Sequence, residues 1–561
     1  MSLIPTIKIT MLEKFLITIS PLGLLCFIFP ELPTVQSIYT FIVLIAYATY
    51  LIISKTKLNL SKGVIVLVFL SGFLLFDGFY RQEFEYKKYK YLEIFSLLFL
   101  LQLNNWIFSK HLKFSIKIIL IAIIGFHFLF VLKFLFSKYT LLYFIEYHFD
   151  NIGQYAIFIA LCAIIFSFYS QTLKPKYLKI FNAIFTLLAV IAIIIIGSRT
   201  AVIIISSYYI IGLLRKYNHS KNRNTIIICC LLSLIIALTL GIKQNSSQGR
   251  FFIWKTTSEI IKDHFPTGIG YNNFPSVYPL YQASMYETGK MTKQEIHLAD
   301  NTKVAFNEFL QLFTELGIAG LLLFLIIIFT YLYYAQDSRP IYISILIAMC
   351  FSYMLHSPVI CYLILLILSL IQDRIKYATP RIISTSLLIF CIFIASYNLY
   401  FHLKKQECIS TVRVLLKRSP DKLNGFYSTH KTFLCDNWGI INAIAEYNFR
   451  TNQTTEAISF FNQSDKLIRQ NDTELLKAKN YVKGKQLKLA EKHFLLSIAI
   501  CPNRFINRYE LFKFYLENSK PDKALTVAKE IDNLDEKIES PHTISIKKHI
   551  REYVLKNTPK E

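Results

Sequence analysis

Two arginines stand where an otherwise apolar chain can least absorb a charge. Arg199 lies in IIIIGSRTAVIII, a turn of a few residues between two hydrophobic walls, and Arg250 opens a polar stretch in GRFFIWK beside Trp254 and Lys255. A cation in such a setting is costly unless it reaches lipid headgroups or answers to an anionic ligand. Snorkelling to lipid phosphate would account for Arg199 alone; two guanidinium groups meeting at one external site would fit a phosphate or diphosphate, which Arg grips bidentately. Downstream come His264, Pro266, Gly268 and Gly270 in HFPTGIGYNNF, where Gly-x-Gly supplies turns with positive φ. No strand-turn-helix surrounds it, so it is no dinucleotide fingerprint. In ADNTKVAFNEFLQLFTELGIAGLLLFL, Phe309, Leu310, Phe313 and Leu316 recur at helical spacing while Glu308, Gln311 and Glu315 take another side. Those acids suit either an interfacial helix with solvated carboxylates or a site for proton transfer.

The elements that must hold these residues are membrane helices. Of 561 residues 54% are hydrophobic and 17% charged, against roughly a quarter charged in an ordinary globular protein. Apolar windows long enough for a hydrocarbon core fall near 13–30, 36–53, 63–79, 91–108, 116–136, 152–169, 180–197, 199–214, 225–242, 316–334, 340–356, 358–372 and 382–400. The expected fold is all-α: about thirteen transmembrane helices, the first retained as an anchor, with the boundaries at 197/199 and 356/358 the least defined.

A net charge of +25 would also fit nucleic acid, but its placement argues against that. Lys55, Lys57 and Lys62, then Lys110, Lys113 and Lys117, then Lys174, Lys176 and Lys179, then Arg215, Lys216, Lys221 and Arg223, and finally Arg374, Lys376 and Arg381 fall in alternate loops. This positive-inside pattern puts the N-terminus in the cytoplasm and both the polar interval 243–315 and everything after residue 400 outside. The segment YRQEFEYKKYKY at 80–91 runs against the pattern. Seven of ten Cys lie within spans; Cys408, Cys435 and Cys501 would face an oxidising compartment, without the spacing of a disulfide framework.

The expected division is a membrane domain at 1–402 carrying the external loop 243–315, a turn-rich linker at 403–437 broken by Pro420 and Gly425, and a helical domain at 438–561. In that tail Ala457, Ala490 and Ala524 recur at intervals of 33 and 34, with Phe461 and Phe494 four residues after the first two and Tyr447, Tyr481 and Tyr515 one helix earlier. This spacing fits a tetratricopeptide-like α-solenoid, in which Ala admits close helix approach and the aromatic fills the layer. Such a tail would cap the membrane domain or dock a protein partner.

The order SRT, R-x-x-x-W, HFPTGIGYNNF and FNEFLQLFTELGIAG resembles the O-antigen ligase superfamily, which includes O-antigen ligases, polysaccharide polymerases and protein O-oligosaccharyltransferases. The resemblance implies a glycosyltransferase of the inner membrane with its site in the periplasm. It would move a glycan from a polyprenyl diphosphate carrier to an acceptor hydroxyl, without a nucleotide sugar, metal or other cofactor. The diphosphate-binding arginines would be Arg199 and Arg250. Many ligases carry His before the Asn that opens the last of these motifs; here Phe306 precedes Asn307. Phe cannot take a proton, so the expected catalytic residues are Glu308, Asn307 and Glu315, with Glu308 or Glu315 as the base, His297 a further candidate for it and His264 structural. Acceptor activation by leaving-group departure alone is a further route. Outside this class stand a lipid or polysaccharide transporter and a non-catalytic scaffold.

Overall fold

The computed structural model describes residues 3–26, 28, 33–54, 59–81, 108, 111–173, 176–216, 244–370, 376–378, 381–535 and 540–557. The expected spans at 91–108 and 225–242 lie almost wholly outside these residues. The chain divides into two compact units: Met1–Ile242 with Phe306–Phe309 and Ala319–Gln406, and Lys243–Ala305 with Leu310–Ile318 and Glu407–Glu561.

The first unit is a set of apolar helices. Five helices among the described residues are long and apolar enough to cross a membrane: Thr34–Ser54, Leu112–Leu135, Ile152–Ser170, Leu178–Ile196 and Glu308–Tyr334. Helix Ile152–Leu173 is its centre, packed on both Lys176–Ile196 and Arg199–Lys216 and burying Phe158, Leu161, Ile165 and Phe166. Helix Lys176–Ile196 is the opposite case. Ile180, Ile184, Leu188, Ile191 and Ile195 follow one another at three- and four-residue steps and, with Leu187 beside them, are all exposed, an apolar face of the kind lipid covers. A short helix, Leu141–Phe149, was not expected from the hydropathy; it buries Phe144, Ile145, His148 and Phe149 on one side only.

Two expected spans are shorter than read. Residues 340–356 and 358–372 become helices Arg339–Met349 and Pro358–Ser369, of 11 and 12 residues. Each is about 17–18 Å long at 1.5 Å per residue, well short of a hydrocarbon core of roughly 30 Å. Pro358 opens the second helix at its first position, where its missing N–H costs nothing. Between them the chain turns through 350–357, with a single 3₁₀ turn at Met354–His356. Elsewhere Asn59–Ser61 pairs antiparallel with Lys376–Ala378, so the loops after the second and before the last apolar helix share one side.

The second unit joins the polar interval to the tail. Helices Trp438–Arg450 and Thr454–Asp465, Asn471–Lys483 and Leu487–Ile500, and Phe505–Glu517 and Pro521–Asp532 are packed in sequential pairs, followed by Pro541–Asn557. Ala457, Ala490 and Ala524 occupy the second helix of each pair and are fully buried, as are Phe461 and, nearly so, Phe494. Residues 403–437, read as turn-rich, are mostly helical: Arg381–Arg418 is continuous, and Leu423–Leu434 follows a short break at Pro420. Gly425 sits inside that helix, where burial of Leu423, Tyr427 and Leu434 outweighs an entropic cost of about 1 kcal/mol.

The polar interval contributes helices Gln244–Asp263, Phe274–Glu287 and Lys293–Leu298. Its irregular part needs partners for its carbonyls, and the tail supplies them. Asn503 Nδ2 donates to the carbonyls of His297, at 3.0 Å, and of Ala299. Asn301 Nδ2 donates to Asn471 Oδ1 at 2.6 Å while the Asn471 amide donates back to Asn301 Oδ1 at 3.1 Å. Cys408, Cys435 and Cys501 are all buried.

Candidate functional site

The turn that carries Arg199 is two residues long. Gly197 adopts φ +67°, and its amide donates to Ile193 O at 2.9 Å, closing helix Lys176–Ile196 in the left-handed manner glycine permits. Ser198 O then accepts the amide of Val202, so Arg199 is the first residue of the next helix, half-buried. Thr200, beside it, is buried and its hydroxyl reaches the carbonyl of Phe351 at 3.5 Å.

That contact is one of several that answer the turn 350–357. Irregular backbone among apolar helices must find its hydrogen bonds in protein. Gln154 Nε2, from the central helix, donates to Tyr353 O at 3.3 Å. The Leu355 amide donates to Glu308 Oε1 at 2.6 Å. Glu308 is only 2% exposed, and its second oxygen, Oε2, lies 3.8 Å from His356 Nδ1. The His356 side chain keeps 35% of its surface. The ring of Phe306 meets Tyr353 edge-on at 5.1 Å, and Phe306 itself holds a left-handed φ of +54°, uncommon for a bulky residue. Asn307 follows, half-buried, immediately before the helix.

In the second unit the other motif segments meet one another. The helix read as continuous from Glu308 is broken at Gly317, with φ +64° and ψ −163°. The break frees carbonyls that amides of the Gly-x-Gly turn recover: Ile269 donates to Thr314 O at 2.9 Å and Gly270 to Glu315 O at 2.8 Å, while Ile318 donates to Pro266 O at 3.0 Å. The approach is so close that a Cβ on Gly268 would lie 2.6 Å from Gly317 N. The Glu315 carboxylate, 3% exposed, accepts from the Asn272 amide at 2.7 Å, the Phe274 amide at 3.4 Å and Gln311 Nε2 at 3.2 Å. Gln311 Oε1 in turn accepts the Ala305 amide at 2.8 Å, and Ala305 O accepts the Trp254 indole at 2.9 Å. One chain of hydrogen bonds thus ties R-x-x-x-W, the Gly-x-Gly turn and the helical turn bearing Gln311 and Glu315.

Arg250 stands one helical turn before Trp254, half-buried. Lys255 is engaged elsewhere, with Glu295 at 2.9 Å. Partial burial acts to raise the Glu295 carboxyl, but the Thr292 amide and the Lys255 ammonium outweigh it and hold the group below the ordinary carboxylate range. His264 is exposed near Tyr281, and His297 is half-buried with its carbonyl held by Asn503.

Within the first unit, then, the turn bearing Arg199, the helix start bearing Glu308 and the turn 350–357 are joined by direct hydrogen bonds; within the second, Trp254, Gln311 and Glu315 are joined. The residue that sequence reading passed over is His356. It stood at the edge of an expected span and had no motif to mark it; the one signal was the LHSP break, a His-Ser-Pro between two apolar runs.

A comparison with curated proteins finds no match. Residues 141–325 match the model of the family described as O-Antigen ligase, a segment that contains Arg199, Arg250, the Gly-x-Gly turn and the broken helix through Leu325. Over that segment this multi-pass, all-α membrane protein is similar to the O-Antigen ligase family.

Proposed function

We propose that the protein transfers a glycan from a polyprenyl diphosphate carrier to an acceptor hydroxyl, on lipid A core or on protein, at the periplasmic face of the bacterial inner membrane. The observation that carries this reading is the family match over 141–325, which takes in both arginines. Breaking the bond between sugar and diphosphate develops negative charge on the leaving phosphate, and preorganised cations stabilise that charge as it forms. Arg199 and Arg250 are the proposed diphosphate ligands, and neither a metal nor a cofactor is invoked. Asn307 and Glu308 belong to the acceptor side. Glu315, whose carboxylate is engaged with two amides and Gln311, has the place of an organiser of the 272–274 turn. The tail is read as a tetratricopeptide-like stack that lies outside the cytoplasm, as the positive-inside rule requires of it.

The test is the purified chain in detergent with a polyprenyl diphosphate glycan and, separately, lipid A core, peptide and second carrier-linked glycan as acceptors. Release of polyprenyl diphosphate with chelator present, and a loss of roughly 10²–10³-fold in Arg199→Ala and in Arg250→Ala, are the expected results. Unaltered rates in both variants would remove the proposed diphosphate site. A ladder of lengthened carrier-linked glycan would make the enzyme a polymerase, and a scaffold or transporter would show no turnover with any acceptor. In cells, the glycan lost on gene deletion, from lipid, protein or free polymer, names the acceptor.

A further inference from the structure

The position where related ligases carry His is Phe306 here, and Glu308, the nearest carboxylate, is poorly placed to meet an acceptor directly. It is 2% exposed, and Oε1 is taken by the Leu355 amide at 2.6 Å. A purely structural role for Glu308 is complete with that one bond. Its other oxygen nevertheless faces His356 Nδ1 at 3.8 Å, and the His356 side chain reaches the surface with 35% of its area exposed. A buried carboxylate behind a partly exposed imidazole is the arrangement in which the acid orients the ring and stabilises its protonated form while the far nitrogen meets the substrate.

The same turn is fixed to the helix that bears Arg199 through Thr200 and Phe351 O, and to the central helix through Gln154 and Tyr353 O. The titratable groups set against it are Glu308 from the broken helix, Tyr353 from the turn itself and Cys361, whose thiol lies 3.0 Å from Leu355 O in the following helix. Among these, the imidazole is the group suited to exchange a proton near neutrality.

We propose that His356 takes the proton from the acceptor hydroxyl, in the role that Phe306 leaves vacant, and that Glu308 is a positioning residue acting through it. The inference rests on the transferase reading above. The acceptor oxygen forms its bond to the anomeric carbon of the carrier-linked sugar; the bond from that carbon to the diphosphate oxygen breaks, its electron pair leaving with the diphosphate. The hydroxyl proton passes to His356, whose imidazolium the Glu308 carboxylate stabilises, and from there to solvent.

The experiment measures transfer by the full chain in detergent between about pH 5 and 8, where imidazoles titrate. The wild type should lose rate as the pH falls through this range. His356→Gln should lower kcat by roughly 10²–10⁴-fold with little change in KM for the carrier glycan and should abolish the acid limb. Added imidazole should restore part of the rate to His356→Ala. Glu308→Gln, which keeps an acceptor for the Leu355 amide, should move the acid limb to lower pH, because the imidazolium loses its counter-charge. Wild-type rate and pH profile in His356→Gln overturns the proposal while leaving an arginine-dependent transferase intact. So does a variant that is slow, not rescued by imidazole, and compared with a wild type lacking any acid limb, which marks a structural histidine. Absence of transfer by the wild type with every acceptor overturns the transferase reading itself and this role with it.

Discussion

At Gly317 there is no room for any side chain. A Cβ there would lie 2.1 Å from Pro266 O and 2.6 Å from Thr267 C, and the residue's φ is +64°. Both faults fall on Gly317→Ala together: positive φ with ψ −163° is a conformation almost confined to glycine and costs another residue about 1–3 kcal/mol, and the neighbouring atoms are backbone that cannot swing aside. A loss of at least about 2 kcal/mol is expected, read as a lower melting temperature of the purified chain. Two residues earlier, Glu315 is tested differently. Removing its carboxylate strips partners from the buried Phe274 amide, the half-buried Asn272 amide and Gln311, so Glu315→Ala should cost about 2–3 kcal/mol, with transfer falling only as far as folded protein does. Glu315→Gln, which keeps an acceptor, should stay folded and active with an unshifted pH profile. If it folds but loses transfer by more than about tenfold, the carboxylate takes part in the reaction.

At the scale of elements, the tail contains a buried charge cluster that its repeat spacing does not announce. Glu474, at the start of helix Asn471–Lys483, is fully buried and meets Arg469 at 2.5 Å, Lys477 at 3.5 Å and His493 at 2.6 Å. Burial acts to raise its carboxyl, but the His493 hydrogen bond and the Lys477 and Arg469 charges outweigh it and hold it down at about 2. Asp465, paired with the same Lys477, is pushed the other way by burial and by the charge of Glu474. A depressed carboxyl contributes stability that is fully present above the ordinary value of about 4.5 and is lost as the pH falls toward about 2. Glu474→Gln should therefore cost roughly 3–5 kcal/mol near pH 7, since it leaves buried cations short of a partner. The gap in thermal unfolding between variant and wild type should narrow as the pH drops below about 4.5. A gap independent of pH would show that the ionised form of Glu474 is not what matters.

Across the whole molecule, charge in the loops sets which side is which, and the paired segments Asn59–Ser61 and Lys376–Ala378 require that two of the basic loops lie together. In a background without native cysteines, a membrane-impermeant maleimide should label Thr288→Cys in intact spheroplasts and Ser61→Cys only after permeabilisation. The reverse pattern would invert the topology and place the polar interval in the cytoplasm. The polar interval also shares a compact unit with the tail, bound by Asn503, Asn471 and Gln282. Asn503→Ala removes a donor to the His297 and Ala299 carbonyls and should raise amide hydrogen exchange through 296–301 without melting the tail; unchanged exchange would mean that the loop holds itself.

The sequence by itself determined the class of this protein. Long apolar runs favour membrane helices, because backbone in lipid must satisfy its own hydrogen bonds, and small and aromatic residues at steps of 33 and 34 fit burial between paired helices. The glycines of HFPTGIGYNNF were legible as turn devices, since positive φ is a property of the residue type. What they dock against was not legible. The break at Gly317 is hidden inside an apolar helix pattern and exists because the amides of Ile269 and Gly270 replace its lost helical bonds from 45 residues upstream, counting Thr314 back to Ile269. His356 was hidden for the same reason. Hydropathy counts residues along one chain segment, whereas the turn at 350–357 is stabilised by Gln154, Thr200 and Glu308 from three other segments. Periodicity and composition act locally and could be read. The pairing of a buried carboxylate with an imidazole 48 residues further on, Glu308 with His356, was decided by tertiary structure, which alone brings distant polar groups within reach where water is excluded.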